Sequence, residues 1–182
     1  MDESTARGLK LRETVYLSGT VVTGRDKVHM RALSPGTDAP ECLNGATLFH
    51  CGPIVVRDGS KMKVIAAGPT TSARMNSMAP EMIRRYGIRA VIGKGGMSDE
   101  VLQVMSEVGC VYLAAIGGAA VSLAEGLGNV VGMEWEDLGM AESVWIFKAE
   151  RLGPLVVAMD AHGNSIYDEV RSKVNEAMER HS

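Results

Sequence analysis

The chain has 182 residues, 46% of them hydrophobic, which is enough to fill the core of one domain spanning residues 1–182. Its 19 basic and 22 acidic residues give a net charge of −3, which provides no general attraction for nucleic acid or for an anionic membrane. No apolar run reaches the roughly 18 residues of a membrane span, and the N-terminal residues lack the apolar core of a secretion signal. We therefore expect a cytoplasmic protein in which any anion-binding site is local.

The first third of the chain is rich in β-branched residues and short apolar runs, a composition that predicts strands. The first predicted strand is long and contains a glycine. The last two are joined by Asp58-Gly59, a typical hairpin turn. The predicted strands of this third cover residues 13–24, 46–50, 54–57 and 62–67.

After Gly68 the pattern changes to strands that alternate with helices. A helical segment is expected from about Ser72 to Tyr86, restarted at Pro80 as a first-turn proline. Alternation of this kind predicts parallel strands with helices packed outside them. The other predicted elements of this part are a strand at 89–93, a helix at 98–109 capped by Ser98, a strand at 110–115 and a short helix at 117–128.

The last third contains three more apolar, β-branched segments, at residues 129–135, 143–151 and 154–160, each of which predicts a strand. An amphipathic helix is expected from about Ile166 to Arg180. The whole pattern predicts an α/β fold, with a β-rich first third followed by alternating strands and helices.

Three predicted loops each place one cation after a strand. Arg25 follows the first strand, Arg74 lies in "GPTTSAR", and Lys94 lies between glycines in "GKGG". Arginine grips a carboxylate through two parallel hydrogen bonds, so three such cations in a net acidic protein suit a small dicarboxylate. Each loop alone also has a simpler explanation: a local Arg25–Asp26 ion pair, a solvated arginine or a glycine-flexed turn.

The stretch "AAGPTTSARMNS" has more hydroxyl groups than the start of a helix requires. Thr71 or Ser72 can cap the helix, and the free amide groups of its first turn favour a carboxylate or phosphate. The remaining hydroxyls are then available to a ligand. His29, which follows the first strand, is read either as a packed histidine or as a base.

Three cysteines, Cys42, Cys51 and Cys110, suggest neither a disulfide framework nor a CxxC metal pair, and we expect free thiols. The sequence also has no nucleophile elbow, no histidine-rich metal set and no cysteine triplet with cluster spacing. We therefore predict no metal ligands in this chain and half of a substrate site rather than a complete one.

Six motifs occur in one order along the chain: "GRDKVH", "LNGATLFHCGPIV", "AAGPTTSARMNS", "VIGKGGM", "VYLAAIGG" and "LGMAESVWIFKAERLGPLVVAMDAHGNSIYDE". Together they resemble the β subunit, or C-terminal domain, of the iron-sulfur hydro-lyases, the family of class I fumarase (fumarate hydratase) and L-tartrate dehydratase. The resemblance extends from about Glu13 to Glu169. The tail is most similar to the separate β subunits of prokaryotic, especially archaeal, class I fumarases.

This resemblance implies a swivelling β/β/α domain that is active only with an α subunit. The α subunit would hold a 4Fe-4S cluster through three cysteines and leave one iron open to the substrate, so no cluster ligand is expected here. The resemblance further implies a hetero-oligomer, for which two α and two β chains is one arrangement.

The resemblance also implies which residues meet the substrate. Arg25, Arg74 and Lys94 would bind its carboxylates, and Thr70 and Thr71 would lie beside its reacting carbons. Thr70 is the implied base that removes a proton from malate, and the acid would come from the α subunit.

Other residues of the motifs have weaker implied roles. Ser72 is left to cap the helix, and Asp26 and His29 are expected to orient Arg25 or to line the pocket. "AHGN", which contains His162, has no role that follows from its residues beyond a turn between a strand and a helix.

Three functions remain open from the sequence. The first is the β subunit of a class I fumarase, which hydrates fumarate reversibly to (S)-malate. The second is the β subunit of L-tartrate dehydratase, which shares the motifs and whose substrate differs by one hydroxyl group. The third is a non-catalytic dicarboxylate-binding module, whose binding would not depend on Thr70 or on an iron-sulfur partner.

Overall fold

The computed structural model describes residues 1–59 and 61–180, which form six α-helices and eight strands. The helices are α1 (Glu3–Gly8), α2 (Asp26–Leu33), α3 (Ala79–Tyr86), α4 (Asp99–Val108), α5 (Ala120–Leu127) and α6 (Ile166–Glu179). The strands are β1 (Thr14–Thr23), β2 (Thr47–Phe49), β3 (Ile54–Asp58), β4 (Lys61–Ala66), β5 (Ala90–Gly93), β6 (Val111–Ala115), β7 (Asn129–Glu134) and β8 (Val144–Met159). Short 3-10 turns lie at Glu41–Leu43, Ser72–Met75 and Glu136–Leu138. The predicted α/β class, with its β-rich first part, is confirmed.

Six strands pair into one sheet, and the pairings of β1, β2, β5, β6 and β8 close into a ring. β1, β2, β5 and β6 are parallel neighbours, as expected for strands joined by helical crossovers. β8 pairs antiparallel with both β6 and β1, and β7 pairs with the first half of β8. β3 and β4 form the predicted hairpin. Of its turn residues, Gly59 is described and Ser60 lies outside the described residues.

Parallel pairing brings the carboxyl ends of β1, β2 and β5 to the same edge of the sheet. Thr23 of β1 pairs with Phe49 of β2, and Phe49 pairs with Ile92 of β5. The cations Arg25 and Lys94 directly follow two of these strands. The fold therefore gathers two of the predicted site loops at one edge.

Successive residues of the central strands face two different cores, as the pleat of a strand requires. Phe49 and Ile92 belong to the core shared with α5 and the β3–β4 hairpin. Their neighbours Leu48 and Val91 belong to the core shared with α2, α3 and α4. Hairpin, sheet and helices are thus stacked in the β/β/α order that the resemblance implies.

The prediction of separate strands at 143–151 and 154–160 is wrong, because β8 runs through both. β1 pairs with β8 on both sides of the interruption, and the register shifts between Val15 and Leu17. An irregularity of this kind accommodates Pro154, which has no N–H group to donate to a neighbouring strand.

The helix predicted from Ser72 to Tyr86 is interrupted. A 3-10 turn occupies Ser72–Met75, and α3 begins separately, with Pro80 in its first turn as predicted. α2, which spans only the eight residues Asp26–Leu33, was not predicted. Its position matters because its first residues carry part of the site.

Two predicted helix features have mixed outcomes. Ser98 occupies the N-cap position of α4, but its hydroxyl makes no capping bond to the described residues, and its N–H donates instead to Asn76 Oδ1 at 3.1 Å. α6 begins at Ile166 as predicted, and no residue of this described helix is buried. Among residues 1–59 and 61–180, no helix has both the length and the apolar character to cross a membrane.

Candidate active site

Arg25 stands at the junction of β1 and α2, where its side chain is held from two sides and is only 23% exposed. Its Nε lies 3.3 Å from Glu142 Oε1, and the other oxygen of Glu142 accepts the N–H of Lys27 at 3.1 Å. The Arg25 contact is an ion pair without hydrogen-bond geometry, since Nε has no hydrogen-bond partner among the described residues. A Cβ on Gly52 would lie 2.7 Å from Arg25 Nη1 and 2.7 Å from the carbonyl oxygen of Ala141, so glycine leaves room for the guanidinium in this pose.

Arg74 reaches the same region from the 3-10 turn. Its Nη2 donates to Asp26 Oδ2 at 2.5 Å, and its side chain is 50% exposed. Asp26 was expected to orient Arg25, or to form a local ion pair with it. The structure corrects this, because Asp26 binds Arg74 whereas Arg25 pairs with Glu142. The two arginines are thus brought together through adjacent residues at the start of α2.

The two threonines and Lys94 are joined through their backbones. Thr70 N–H donates to the carbonyl of His50 at 2.7 Å, and Lys94 N–H donates to the carbonyl of Thr70 at 3.2 Å. Ser72 N–H donates in turn to the carbonyl of Lys94 at 2.9 Å, and Thr71 forms a parallel bridge with Lys94. This ladder fixes the threonine loop beside the end of β5. Thr70 is half-buried, whereas Thr71 and Lys94 are exposed.

The prediction that Ser72 caps the helix is wrong. Thr71 occupies the N-cap position of the 3-10 turn, where no side-chain capping bond to the described residues is formed. Ser72 is fully buried, and its Oγ contacts His50 Nδ1 at 2.8 Å and accepts the hydroxyl of Tyr112 at 3.0 Å. Its hydroxyl faces the interior because two buried polar groups offer it hydrogen bonds there.

His29 and His50 pack against each other behind the site, with ring centroids 5.2 Å apart at 67°. Burial is the main cause that lowers the pKa of both rings, and for His50 the neighbouring His29 adds to the effect. A hydrogen bond to the Arg25 carbonyl and the carboxylates of Asp26 and Glu142 partly oppose the lowering of the His29 pKa. His29 Nδ1 lies 2.9 Å from that carbonyl and must be its donor, so the His29 ring binds the backbone of Arg25. Its role in orienting the Arg25 side chain stays a prediction.

The burial of His29 and His50 as neutral rings leads to a prediction about how stability depends on pH. Because the two rings take up protons more readily in the unfolded chain, the free energy of unfolding should be highest above pH ~6.5. It should fall as the pH drops below that value, by up to about 1.4 kcal/mol per pH unit for each histidine. Urea unfolding between about pH 5 and pH 7.5 would measure this slope. His50→Asn should reduce this slope, and an equal slope in His50→Asn and the parent protein would refute the explanation.

The AHGN turn has a structural role that its motif did not reveal. The buried carboxylate of Asp160 accepts the N–H groups of His162 and Asn164, each at 2.9 Å, and the Asn164 side-chain amide at 2.8 Å. His162 Nε2 lies 2.9 Å from the carbonyl of Arg7. This turn therefore joins β8 to α6 and holds the N-terminal helix.

The cysteines do not fit an iron-sulfur cluster. Burial raises the pKa of Cys51 and of Cys110 to about 12 and that of Cys42 to about 11, so all three are neutral thiols near pH 7. Within residues 1–59 and 61–180, no group of three or more His, Cys, Asp or Glu side chains could hold a metal ion. No chemical step at a metal is therefore assigned to residues of this chain.

The cations and threonines lie at an open edge of the molecule. A groove of about 1040 Å³ lies elsewhere, lined by residues of β4, α5 and β7, and none of the candidate site residues lines it. The threonine loop, the Lys94 loop and the start of α2 form one polar surface, joined by backbone hydrogen bonds and by the Asp26–Arg74 ion pair. Glu142 and Gly52 complete this surface, yet neither had a role that could be read from its own motif.

Comparison with known proteins identifies relatives over nearly the whole chain. The L(+)-tartrate dehydratase subunit beta provisionally named in Methanocaldococcus jannaschii is 41% identical, over 98% of this chain and 93% of its own length. The L(+)-tartrate dehydratase subunit beta of Escherichia coli K12 is 38% identical, over 88% and 80%. A provisionally named class I fumarate hydratase of Geobacillus stearothermophilus is 40% identical over 92% of this chain, which spans only 32% of that protein.

The family described as Fumarase C-terminus matches residues 2–170. This match includes both arginines, the two threonines, Lys94 and the glutamate that holds Arg25. Two of these relatives are named as tartrate dehydratase subunits, and the third is named as a fumarate hydratase. The chain therefore belongs to the Fumarase C-terminus family, together with the β subunits of hydro-lyases.

Proposed function

We propose that this chain is the β subunit of a class I fumarate hydratase (EC 4.2.1.2), which interconverts fumarate and (S)-malate at a site shared with an α subunit. The observation that supports this most is the convergence of Arg25, Arg74 and Lys94 beside Thr70 and Thr71. In this net acidic protein, the loops that carry these residues are linked by the Asp26–Arg74 ion pair and by the backbone hydrogen bonds between Thr70 and Lys94.

The cations are proposed to bind the two carboxylates of the substrate. Arg25 is held in place by Glu142 and by the space at Gly52, so it needs little reorganisation to receive a carboxylate. Arg74 is more exposed and is oriented by Asp26, and Lys94 is exposed beside the threonine loop. Positioned cations also stabilise the extra negative charge that develops when a proton leaves the carbon next to a carboxylate.

Thr70 is proposed as the base. In the dehydration direction it would take the proton from C3 of malate, while the C2–O bond breaks and the hydroxyl group leaves as water. A threonine hydroxyl is a weak base unless nearby cations favour its alkoxide, and Arg74 and Lys94 would supply this field. The acid that protonates the leaving hydroxyl is assigned to the α subunit.

A 4Fe-4S cluster is proposed to reside on the α subunit, where it would act as a Lewis acid. Among the described residues, Cys42, Cys51 and Cys110 belong to no group of three or more side chains that could hold a metal ion. Exposed apolar side chains on segments that border the site suit coverage by a partner: Met30 on α2, Ile116 after β6, and Met140 beside the segment that contacts Gly52. The proposed assembly is a hetero-oligomer, with two α and two β chains as one arrangement.

L-tartrate dehydration is the second candidate, because two of the compared relatives carry that name. Both substrates are four-carbon dicarboxylates, so the three cations suit either one. The deciding experiment is to compare kcat/KM for malate and for L-tartrate under anaerobic conditions, with the α and β subunits assembled. A preference for malate or fumarate supports the proposed function, whereas a preference for tartrate would transfer the same residues to the other hydro-lyase.

A further inference from the structure

A chain of buried hydrogen bonds runs behind the threonine loop. The hydroxyl of Tyr112 donates to Ser72 Oγ at 3.0 Å. Ser72 Oγ lies 2.8 Å from His50 Nδ1. The side chains of His50, Ser72 and Tyr112 are all fully buried. They come from three places in the fold: the end of β2, the threonine loop and β6.

A gap in the sheet makes room for these buried hydrogen bonds. β5 lies between β2 and β6, and its last residue is Gly93. A Cβ on Gly93 would lie 1.9 Å from Ser72 Oγ and 3.1 Å from Tyr112 Oη. Any side chain at this position would therefore displace Ser72. Because Gly93 has no side chain, the hydrogen bonds can connect His50, at the end of β2, with Tyr112 of β6.

The direction of the hydrogen bonds follows from the donors available. Ser72 accepts the proton of Tyr112, so its own proton is free to be donated to His50 Nδ1. If Nδ1 carried the proton instead, the Ser72 hydroxyl proton would have no acceptor among the described residues. With Ser72 assigned as the donor, His50 is a neutral acceptor at Nδ1 and carries its proton on Nε2, an atom that is buried without a hydrogen-bond partner among the described residues.

His50 contacts the threonine loop twice. Its carbonyl accepts the N–H of Thr70 at 2.7 Å, and its ring binds Ser72. These two contacts hold the residues on either side of Thr71. We propose that His50, Ser72 and Tyr112 are positioning residues that fix the pose of Thr70 and Thr71 against the substrate, an inference that rests on the proposed function.

The network has a feature suited to this task. Its three side chains are uncharged, so they add no positive charge beside Arg25, Arg74 and Lys94. The buried hydrogen bonds that join the three side chains restrict their rotation. Displacement of a catalytic group by about 1 Å can cost on the order of 100-fold in rate. Loss of one member should therefore lower turnover without removing the cations that bind substrate.

The test compares four variants in the assembled enzyme: Tyr112→Phe, Ser72→Ala, His50→Asn and His50→Leu. Tyr86→Phe is the matched control, since it removes a tyrosine hydroxyl that donates to the Ala32 carbonyl at 2.7 Å, away from the site. Tyr112→Phe and Ser72→Ala should lower kcat by about tenfold or more with KM within about twofold. His50→Asn, which keeps an acceptor near the Nδ1 position, should retain more activity than His50→Leu.

A second measurement does not require activity. Amide hydrogen exchange over residues 69–75 should be faster in Tyr112→Phe and Ser72→Ala than in the parent enzyme, and unchanged in Tyr86→Phe. Parent-like kcat, or a lowered kcat with unchanged exchange in this segment, would overturn the proposal. If Ser72→Ala does not fold, Tyr112→Phe decides alone. If the parent enzyme turns over neither malate nor tartrate, the proposed function fails, and exchange still decides the positioning role.

Discussion

Replacing Arg74 by alanine is expected to lower kcat/KM for malate by roughly 30- to 1000-fold in the assembled enzyme. Arg74 would bind a substrate carboxylate and stabilise the charge that develops as the proton leaves C3. Its loss also leaves Asp26 without its cation at the start of α2. Steady-state kinetics under anaerobic conditions, followed by the ultraviolet absorbance of fumarate, measure the effect.

Arg84→Ala is the matched control for this change. Arg84 is 49% exposed and pairs with Glu107, much as Arg74 is 50% exposed and pairs with Asp26, but it lies on α3 away from the threonine loop. Both variants should unfold at similar urea concentrations, since exposed ion pairs contribute at most about 1 kcal/mol. Parent-like turnover in Arg74→Ala would remove this residue from the site, and an equal loss in Arg84→Ala would point to a general effect of lost charge.

Replacing Thr70 by valine is expected to lower kcat by about 100- to 10,000-fold with little change in KM. Valine keeps the shape of threonine and removes the hydroxyl that is proposed to accept the C3 proton. The backbone bonds of residue 70 to His50 and Lys94 do not involve the side chain and should survive. The kinetic assay is the one used for Arg74, and a solvent-exchange assay of the C3 proton of malate tests the chemical step directly.

Thr71→Val gives the necessary contrast. Thr71 is adjacent to Thr70 and is more exposed. Removing one hydroxyl at this next position tests whether the loss of turnover is specific to the proposed base. A much larger effect at Thr70 supports its role as the base. A larger effect at Thr71 would exchange the two roles, and parent-like turnover in both variants would leave neither threonine in the reaction.

The edge on which the site lies could be predicted from the sequence because it follows from topology. Alternating strands and helices imply parallel pairing, and parallel strands place their following loops at one edge. The loops that follow β1 and β5, which carry Arg25 and Lys94, lie at the same edge for this reason. The partners of the two arginines could not be predicted, because they are distant in the chain. Glu142, which pairs with Arg25, lies 115 residues from Lys27, whose N–H it also accepts. Asp26, which pairs with Arg74, lies 48 residues from it.

Ser72 shows how a local rule can mislead. A serine next to the start of a helical turn reads as a cap because nearby backbone N–H groups need an acceptor. The structure offers its hydroxyl two buried partners instead, His50 and Tyr112, which lie 22 and 40 residues away in the chain. Only the space above Gly93 makes that arrangement possible, and such a gap is a property of the folded sheet.

The central claim is that this chain supplies cations and a base to a hydro-lyase site that an α subunit completes. The most direct test follows fumarate–malate interconversion anaerobically with this chain alone, with a cluster-loaded α subunit alone, and with the two mixed. Activity only in the mixture is the predicted result. Full activity of either chain by itself, or a mixture inactive toward both fumarate and L-tartrate, would contradict the account.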